Sequence, residues 1–171
     1  IVFERSTQLG EIINTGTVIN ADPSVQMINN VFFPKSPLHD GAMIIRDARL
    51  YAAGCILPLT QREDISSQLG TRHRAAVGIS EVTDSLTLVV SEETGKISVA
   101  KDGTLIADVR EDVLKKILIS NVVTKRFTTE KKERACRSTI NYIIELMAER
   151  HCCVHFSQSA EVISQSPIWL N

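Results

Sequence analysis

The run Leu86-Thr87-Leu88-Val89-Val90 constrains the fold more than any other stretch of the chain. Branched and apolar residues in succession favour a strand. The run is too short for a buried helix and too apolar for a surface loop, so it reads as a buried strand. Such a strand needs partners. Ala42-Met43-Ile44-Ile45-Arg46 and Leu50 to Leu57 read as two more strands, antiparallel and joined by the tight connection Asp47-Ala48-Arg49. Lys96 to Ala100 reads as a strand pairing back on Leu86–Val90, and Lys101-Asp102-Gly103-Thr104 as a turn of the Asp-Gly kind. Ile1-Val2-Phe3-Glu4 reads as the end of another buried strand.

Helices are expected between and after these strands. Val25, Ile28, Val31 and Phe32 recur at helical spacing, so the pattern predicts a helix over Ser24–Phe33. Asp22 is its expected cap, Pro23 takes the first helical position, and Pro34 and Pro37 stop it. Arg72 to Ile79 predicts a tightly packed helix with Gly78 near its end. Val109–Val122 and Ala135–Arg150 are amphipathic, the second with Ile140, Ile143, Ile144 and Met147 on one face. Ser6–Asn20 is expected to form a short helix or turn, Thr124–Arg134 a linker or solvated helix start, and His151–Phe156 a strand. The order of elements implies an α/β (α+β) fold, a mixed sheet flanked by helices. Residues 1–123 are expected to form the principal domain and residues 124–171 a tail with an amphipathic helix, either docking on that domain or unrelated to it.

At 171 residues the chain is long enough to bury a core, and a net charge of -1 gives no global field for nucleic acid. No run approaches the roughly 18 apolar residues of a membrane span. Cys55, Cys136, Cys152 and Cys153 have no framework spacing, so a cytoplasmic, reducing setting is expected. The spacing of His151, Cys152, Cys153 and His155 fits no familiar zinc site.

Three polar islands interrupt the apolar pattern: Pro37-Leu38-His39-Asp40-Gly41-Ala42, Gly70-Thr71-Arg72-His73-Arg74, and Ser91-Glu92-Glu93-Thr94-Gly95. Guanidinium forks match phosphate oxygens, and a glycine and threonine before a helix start add backbone and hydroxyl donors. Asp40 or the Glu92-Glu93 pair can bind a divalent cation or receive a proton from a sugar hydroxyl. Each island also has a plain structural reading: an Asp-Gly turn, a surface ion-pair cluster and a polar hairpin loop. Leu57-Pro58 reads either as a core strand end or as an adenine-pocket wall. Trp169 reads as a packing residue.

Together, Asp40-Gly41-Ala42, Gly70-Thr71-Arg72-His73-Arg74-Ala75-Ala76-Val77-Gly78 and Ser91-Glu92-Glu93-Thr94-Gly95 resemble the diadenylate cyclase domain family, whose signature triplets are DGA and RHR. The spacer Ile79–Leu86 agrees too, and the resemblance runs from about Ile1 to about Ile119, closest to the membrane-anchored branch. It implies that two ATP molecules give cyclic di-AMP and two pyrophosphates, with two subunits face to face and Mg²⁺ or Mn²⁺ as cofactor. It further implies that Asp40 helps activate the 3′-hydroxyl and touches the metal. Gly41 and Ala42 let ribose and phosphate lie close to the backbone, and Leu57 sits by the adenine. Gly70, Thr71, Arg72, His73 and Arg74 are expected at the phosphates. Ser91, Glu93 and, more weakly, Glu92 belong on the phosphate side, with Glu93 also on the metal. The full-length protein would be cytoplasmic, anchored at the inner face of the membrane. Ile56 departs from the family, where a tyrosine often stands beside the base. Ile140-Asn141-Tyr142 and Met147-Ala148-Glu149-Arg150 resemble a helix that normally leads this domain. A catalytically silent nucleotide-binding regulatory module is the alternative reading, and a plain interaction domain a third.

Overall fold

The structure is a computed structural model that describes residues 1–62, 69–91, 94–123 and 130–148. Its strands are β1 (Val2–Phe3), β2 (Thr17–Ala21), β3 (Ala42–Arg46), β4 (Arg49–Cys55), β5 (Leu86–Val90), β6 (Ile97–Lys101) and β7 (Thr104–Ile106). Its helices are α1 (Gly10–Ile13), α2 (Val25–Phe32), α3 (Thr71–Val82), α4 (Glu111–Val122) and α5 (Glu130–Ala148). The strands form one sheet in the order β2-β4-β3-β1-β5-β6-β7. β1 runs parallel to β3 and antiparallel to β5, so the sheet is mixed, as the element order implied.

The period of two along each strand divides the core. Phe3, Met43, Ile45, Leu86 and Leu88 face a cluster completed by Ile28 and Val31 of α2, Leu114 and Leu118 of α4, and Ile140 and Ile143 of α5. Val2, Ile44, Ala52 and Cys55 face the other way, against Ile13 of α1 and Ile79 of α3. Val89 and Ala100 pack on Ala76 and Val77 of α3. Helices therefore cover both faces, which explains why β5 carries no polar alternation.

Several boundaries differ from expectation. β2 was not anticipated. It is an edge strand pairing antiparallel with β4, and Val18 is 56% exposed, so burial leaves little apolar imprint there. Ser24, not Asp22, caps α2: its Oγ accepts the Met27 amide at 3.1 Å, while Asp22 pairs with Arg49 across the surface. β4 stops at Cys55, after Gly54 at φ +67°, which leaves Leu57 in a loop. Gly78 lies within α3, four residues before its end, for a packing reason taken up below. Asp102 and Gly103, both at positive φ, turn the chain into β7 and close a hairpin. α5 begins at Glu130, inside the segment expected to be a linker or helix start.

α5 is amphipathic in the expected sense. Cys136, Ile140, Ile143, Ile144 and Leu146 are buried, and Met147 is half-buried. Thr139 adds a buried hydrogen bond from its hydroxyl to the Ala48 carbonyl at 3.0 Å, in the β3–β4 turn. The expected strand at His151–Phe156, the second cysteine pair and Trp169 lie outside the described residues. Cys55 and Cys136 are free and buried; burial pushes both thiols up, Cys136 to about 11.

Candidate active site

A cavity of about 680 Å³ opens where β1 and β3 begin and where β4 and β5 end. That size suits a small organic ligand. Asp40, Gly41, Ala42, Leu57, Thr71 and Arg72 all line it, so residues from two of the three polar islands and the expected adenine wall converge there. Gly95 of the third island lines it as well.

Backbone geometry places these groups. Gly41 sits at φ +123°, a conformation that side chains disfavour, and a Cβ there would fall 2.6 Å from the Gly54 carbonyl carbon. Only glycine lets the Asp40 turn approach the end of β4. The loop that carries Leu57 is tied to α3 by two bonds and to the β6–β7 turn by a third. The Thr60 amide donates to the Arg74 carbonyl at 3.1 Å, the Thr60 hydroxyl to Glu81 at 2.8 Å, and Arg62 to the Gly103 carbonyl at 2.8 Å.

α3 starts beside the cavity. Its cap residue, Gly70, offers no side-chain bond, and its carbonyl accepts the amides of His73 and Arg74. Amide groups in the first turn of a helix have no intrahelical acceptor, and such a terminus favours an anion. Thr71 and Arg72, at the start of that turn, line the wall.

The other expected residues stand around the cavity and not on its wall. His73 Nε2 lies 3.4 Å from Ser98 Oγ on β6, and burial lowers its pKa below the ordinary imidazole value. Arg74 has a buried Nε with no hydrogen-bond partner. Ser91 shapes the β5–β6 turn: its carbonyl accepts the Gly95 amide at 2.9 Å and its hydroxyl accepts the Thr94 amide at 3.3 Å. Gly70 serves as the helix cap. Glu92 and Glu93 lie outside the described residues.

Two wall residues were not singled out from the sequence. His39 lines the cavity and donates from Nδ1 to the Ser36 carbonyl at 2.6 Å, which fixes its tautomer. It sat within a recognised island. Thr87 also lines the cavity, and its hydroxyl is buried without a partner. A threonine inside an apolar run gives no signal that distinguishes it from a packing residue.

Residues 1–105 match the family DAC, described as DisA bacterial checkpoint controller nucleotide-binding. The chain belongs to the DAC family. This DAC chain is 53% identical over 118 residues to the cyclic di-AMP synthase CdaA of Bacillus subtilis, covering 69% of the chain and 43% of that protein. It is 52% identical over 124 residues to a diadenylate cyclase of Listeria monocytogenes, covering 72% and 45% respectively. Among solved structures it resembles DacA from Staphylococcus aureus, with TM-score 0.69 and 48% identity over 70% of this chain and 80% of that one. A protein of Bacillus cereus described as a hypothetical membrane spanning protein matches with TM-score 0.61 and 45% identity, over 64% of this chain and 53% of that one. The DAC chain thus spans less than half the length of these two curated relatives. No described helix is long and apolar enough to cross a membrane. α4 and α5 lie beyond residues 1–105, the span of the family match.

Proposed function

We propose that the chain is a diadenylate cyclase domain that condenses two ATP molecules into cyclic di-AMP and releases two pyrophosphates. The observation that carries this reading is the convergence of Asp40-Gly41-Ala42, Leu57 and Thr71-Arg72 on one cavity of nucleotide size. Residues 1–123 form the catalytic domain in this reading, and α5 belongs to a tail docked on it.

Each subunit holds one ATP. Leu57 lies by the adenine, and the exposed Ile56 beside it, 68% accessible, gives the base an aliphatic neighbour. Gly41 and Ala42 admit the ribose to the backbone. Thr71 and Arg72 take phosphate oxygens from the wall. His73 and Arg74 are assigned to the same phosphates from the flank of that turn, where the buried Arg74 Nε is a donor still to be matched. Ser91, Glu92 and Glu93 complete the phosphate side.

Two subunits face each other, so that the 3′-oxygen of one ATP attacks the α-phosphorus of the other. The new O–P bond forms as the bond to the β-phosphate oxygen breaks, and pyrophosphate leaves. Asp40 takes the proton of the attacking hydroxyl. A second transfer of the same kind closes the ring. Arg72 and the α3 terminus favour the charge that grows on the phosphate oxygens.

Nucleotidyl transfer generally uses a divalent metal, and Mg²⁺ or Mn²⁺ is proposed here. Asp40, an exposed carboxylate at the cavity, is a hard oxygen donor of the required kind. No group of three His, Cys, Asp or Glu side chains gathers among the described residues. One or two carboxylates with phosphate oxygens and water are the usual ligand set for Mg²⁺. The ion would neutralise charge on the attacked phosphate. Glu93 is the proposed second carboxylate. In the full-length protein the domain is proposed to lie on the cytoplasmic face of the membrane.

Incubating the purified chain with ATP and Mg²⁺ or Mn²⁺ at low and high protein concentration, with products identified by mass, tests the reading. Cyclic di-AMP that rises more steeply than protein concentration is expected. ATP binding without product under every condition would replace the cyclase with a silent nucleotide-binding module.

A further inference from the structure

The cavity has a polar end and an apolar interior. Asp40, Thr71 and Arg72 line it where α3 begins. Along α3 the wall continues with Ala75 and Ala76. Ala76 is five residues on from Thr71, about 7.5 Å along the helix axis. Val2, Cys55 and Leu57, which pack together with Ile79 of α3, extend the apolar wall. On β5 the wall runs inward from Val90, the last residue of the strand, through Val89 to Thr87. Thr87 lies three residues in from that end, about 10 Å, and is the innermost wall residue of the strand.

In that apolar interior Thr87 is out of character. It is 2% exposed, and its Oγ has no hydrogen-bond partner among the described residues. Strand register explains why the fold supplies none. Thr87 stands opposite Val2 on β1 and Ala100 on β6, and the period of two puts Val89 on its own face of β5. None of these three side chains carries a polar atom. The nearest hydroxyl along the strand, that of Ser85, is bonded to Thr83 instead, at 2.8 Å. Buried hydroxyls are normally paired, so this one is matched by what enters the cavity. Strands admit more than one χ1 well, and a χ1 turn exchanges the hydroxyl and methyl of a threonine, which brings the hydroxyl to the cavity without moving the backbone.

We propose that Thr87 is a specificity residue for the nucleobase, its hydroxyl bonding the inner edge of the adenine. The inference rests on the cyclase reading, which gives the cavity an ATP. With the phosphates at Arg72 and the first turn of α3, the base lies one ribose further in, within the apolar interior that Thr87 lines. Adenine carries ring nitrogens that accept and an amine that donates, and a hydroxyl serves either. Ligand pockets are mostly apolar, with a few placed polar groups that fix orientation. Ile56 and Leu57 offer aliphatic side chains that hold the base without reading its edge. Thr87 adds the polar contact that those side chains lack.

Calorimetric titration with ATP and with ribose 5-triphosphate, which has no base, tests it on the 171-residue chain and on its Thr87→Val and Thr87→Ser variants. Thr87→Val should bind ATP about three- to tenfold more weakly, the loss expected of one hydrogen bond between uncharged groups. Its affinity for ribose 5-triphosphate should be unchanged, and Thr87→Ser should bind ATP nearly as the parent chain does. Unchanged ATP affinity in Thr87→Val would overturn the proposal and leave the cyclase reading standing. Equal weakening of both ligands would overturn it too, because the hydroxyl would then not act on the base. Unliganded Thr87→Val should melt no lower than the parent, since no bond within the fold is lost. A lower melt would give the hydroxyl an internal partner and overturn the assignment. A parent chain that binds no ATP would remove the nucleotide reading itself, and Thr87 with it.

Discussion

A Cβ built on Gly78 would lie 2.2 Å from the Pro58 carbonyl oxygen. The loop between β4 and α3 therefore rests directly on the helix backbone. Any side chain at position 78 must push away the loop that carries Leu57, because the clashing atom is backbone and cannot rotate aside. Gly78→Ala is expected to cost about 1–3 kcal/mol, the usual range for overpacking. It should also weaken ATP binding through the displaced Leu57 loop. Thermal melts and calorimetric titration with ATP check both effects, and an unchanged melt would show that the loop moves freely.

Asp40 and Arg72 share the cavity but have different expected roles. Arg72→Ala removes a charged donor to phosphate, worth roughly 1.5–3 kcal/mol, so ATP affinity should fall by about one to two orders of magnitude. Asp40→Asn keeps the shape and removes the base. Binding should persist while turnover disappears. Equal loss of both in the Asp40 variant would indicate a metal-holding or folding role.

His73 gives a pH signature. Burial lowers its folded-state pKa below the ordinary value of 6.5. Folding therefore favours the neutral ring, and the unfolded chain binds the proton first as pH falls. This contribution to stability is complete above 6.5 and is lost as pH drops through the lower folded value. His73→Gln should flatten that part of the stability profile measured by denaturant titration. An unaltered profile would assign the pH dependence to other groups.

The docked face of α5 predicts an asymmetry. Ile143 is fully buried, so Ile143→Ala should destabilise the fold by about 2–5 kcal/mol, the usual cost of emptying a core position. The Glu133–Arg137 pair on the same helix is partly exposed, at 2.8 Å, and Arg137→Ala should cost only about 0.3–0.5 kcal/mol. Comparable losses from the two would mean that α5 does not pack as described.

Much of this was legible in the sequence. A buried strand writes itself as a continuous apolar run, so β3, β4, β5 and β6 were found in place. An amphipathic helix writes its period, so α2, α4 and the buried face of α5 were found too. The islands Asp40-Gly41-Ala42 and Thr71-Arg72 were picked out by chemistry that apolar packing does not require. β2 was not legible, because an exposed edge strand buries too little to leave a pattern. Gly78 is expected near a helix end from the sequence, because nothing local distinguishes a glycine that stops a helix from one that admits a crossing loop.

The elements, their amphipathic faces and the residue types able to bind a nucleotide follow from local order along the chain, since these depend on periods and functional groups within a few residues. Which of those residues meet is a matter of how the chain packs in three dimensions. That packing brought Asp40, Leu57 and Arg72 to one end of the sheet, turned His73 toward Ser98, and carried Leu146 and Met147 to the same cavity. The physical reason is that strand order and register are set by long-range backbone pairing and by helix docking on both faces. These relationships join residues far apart in the chain and leave no local periodicity to read.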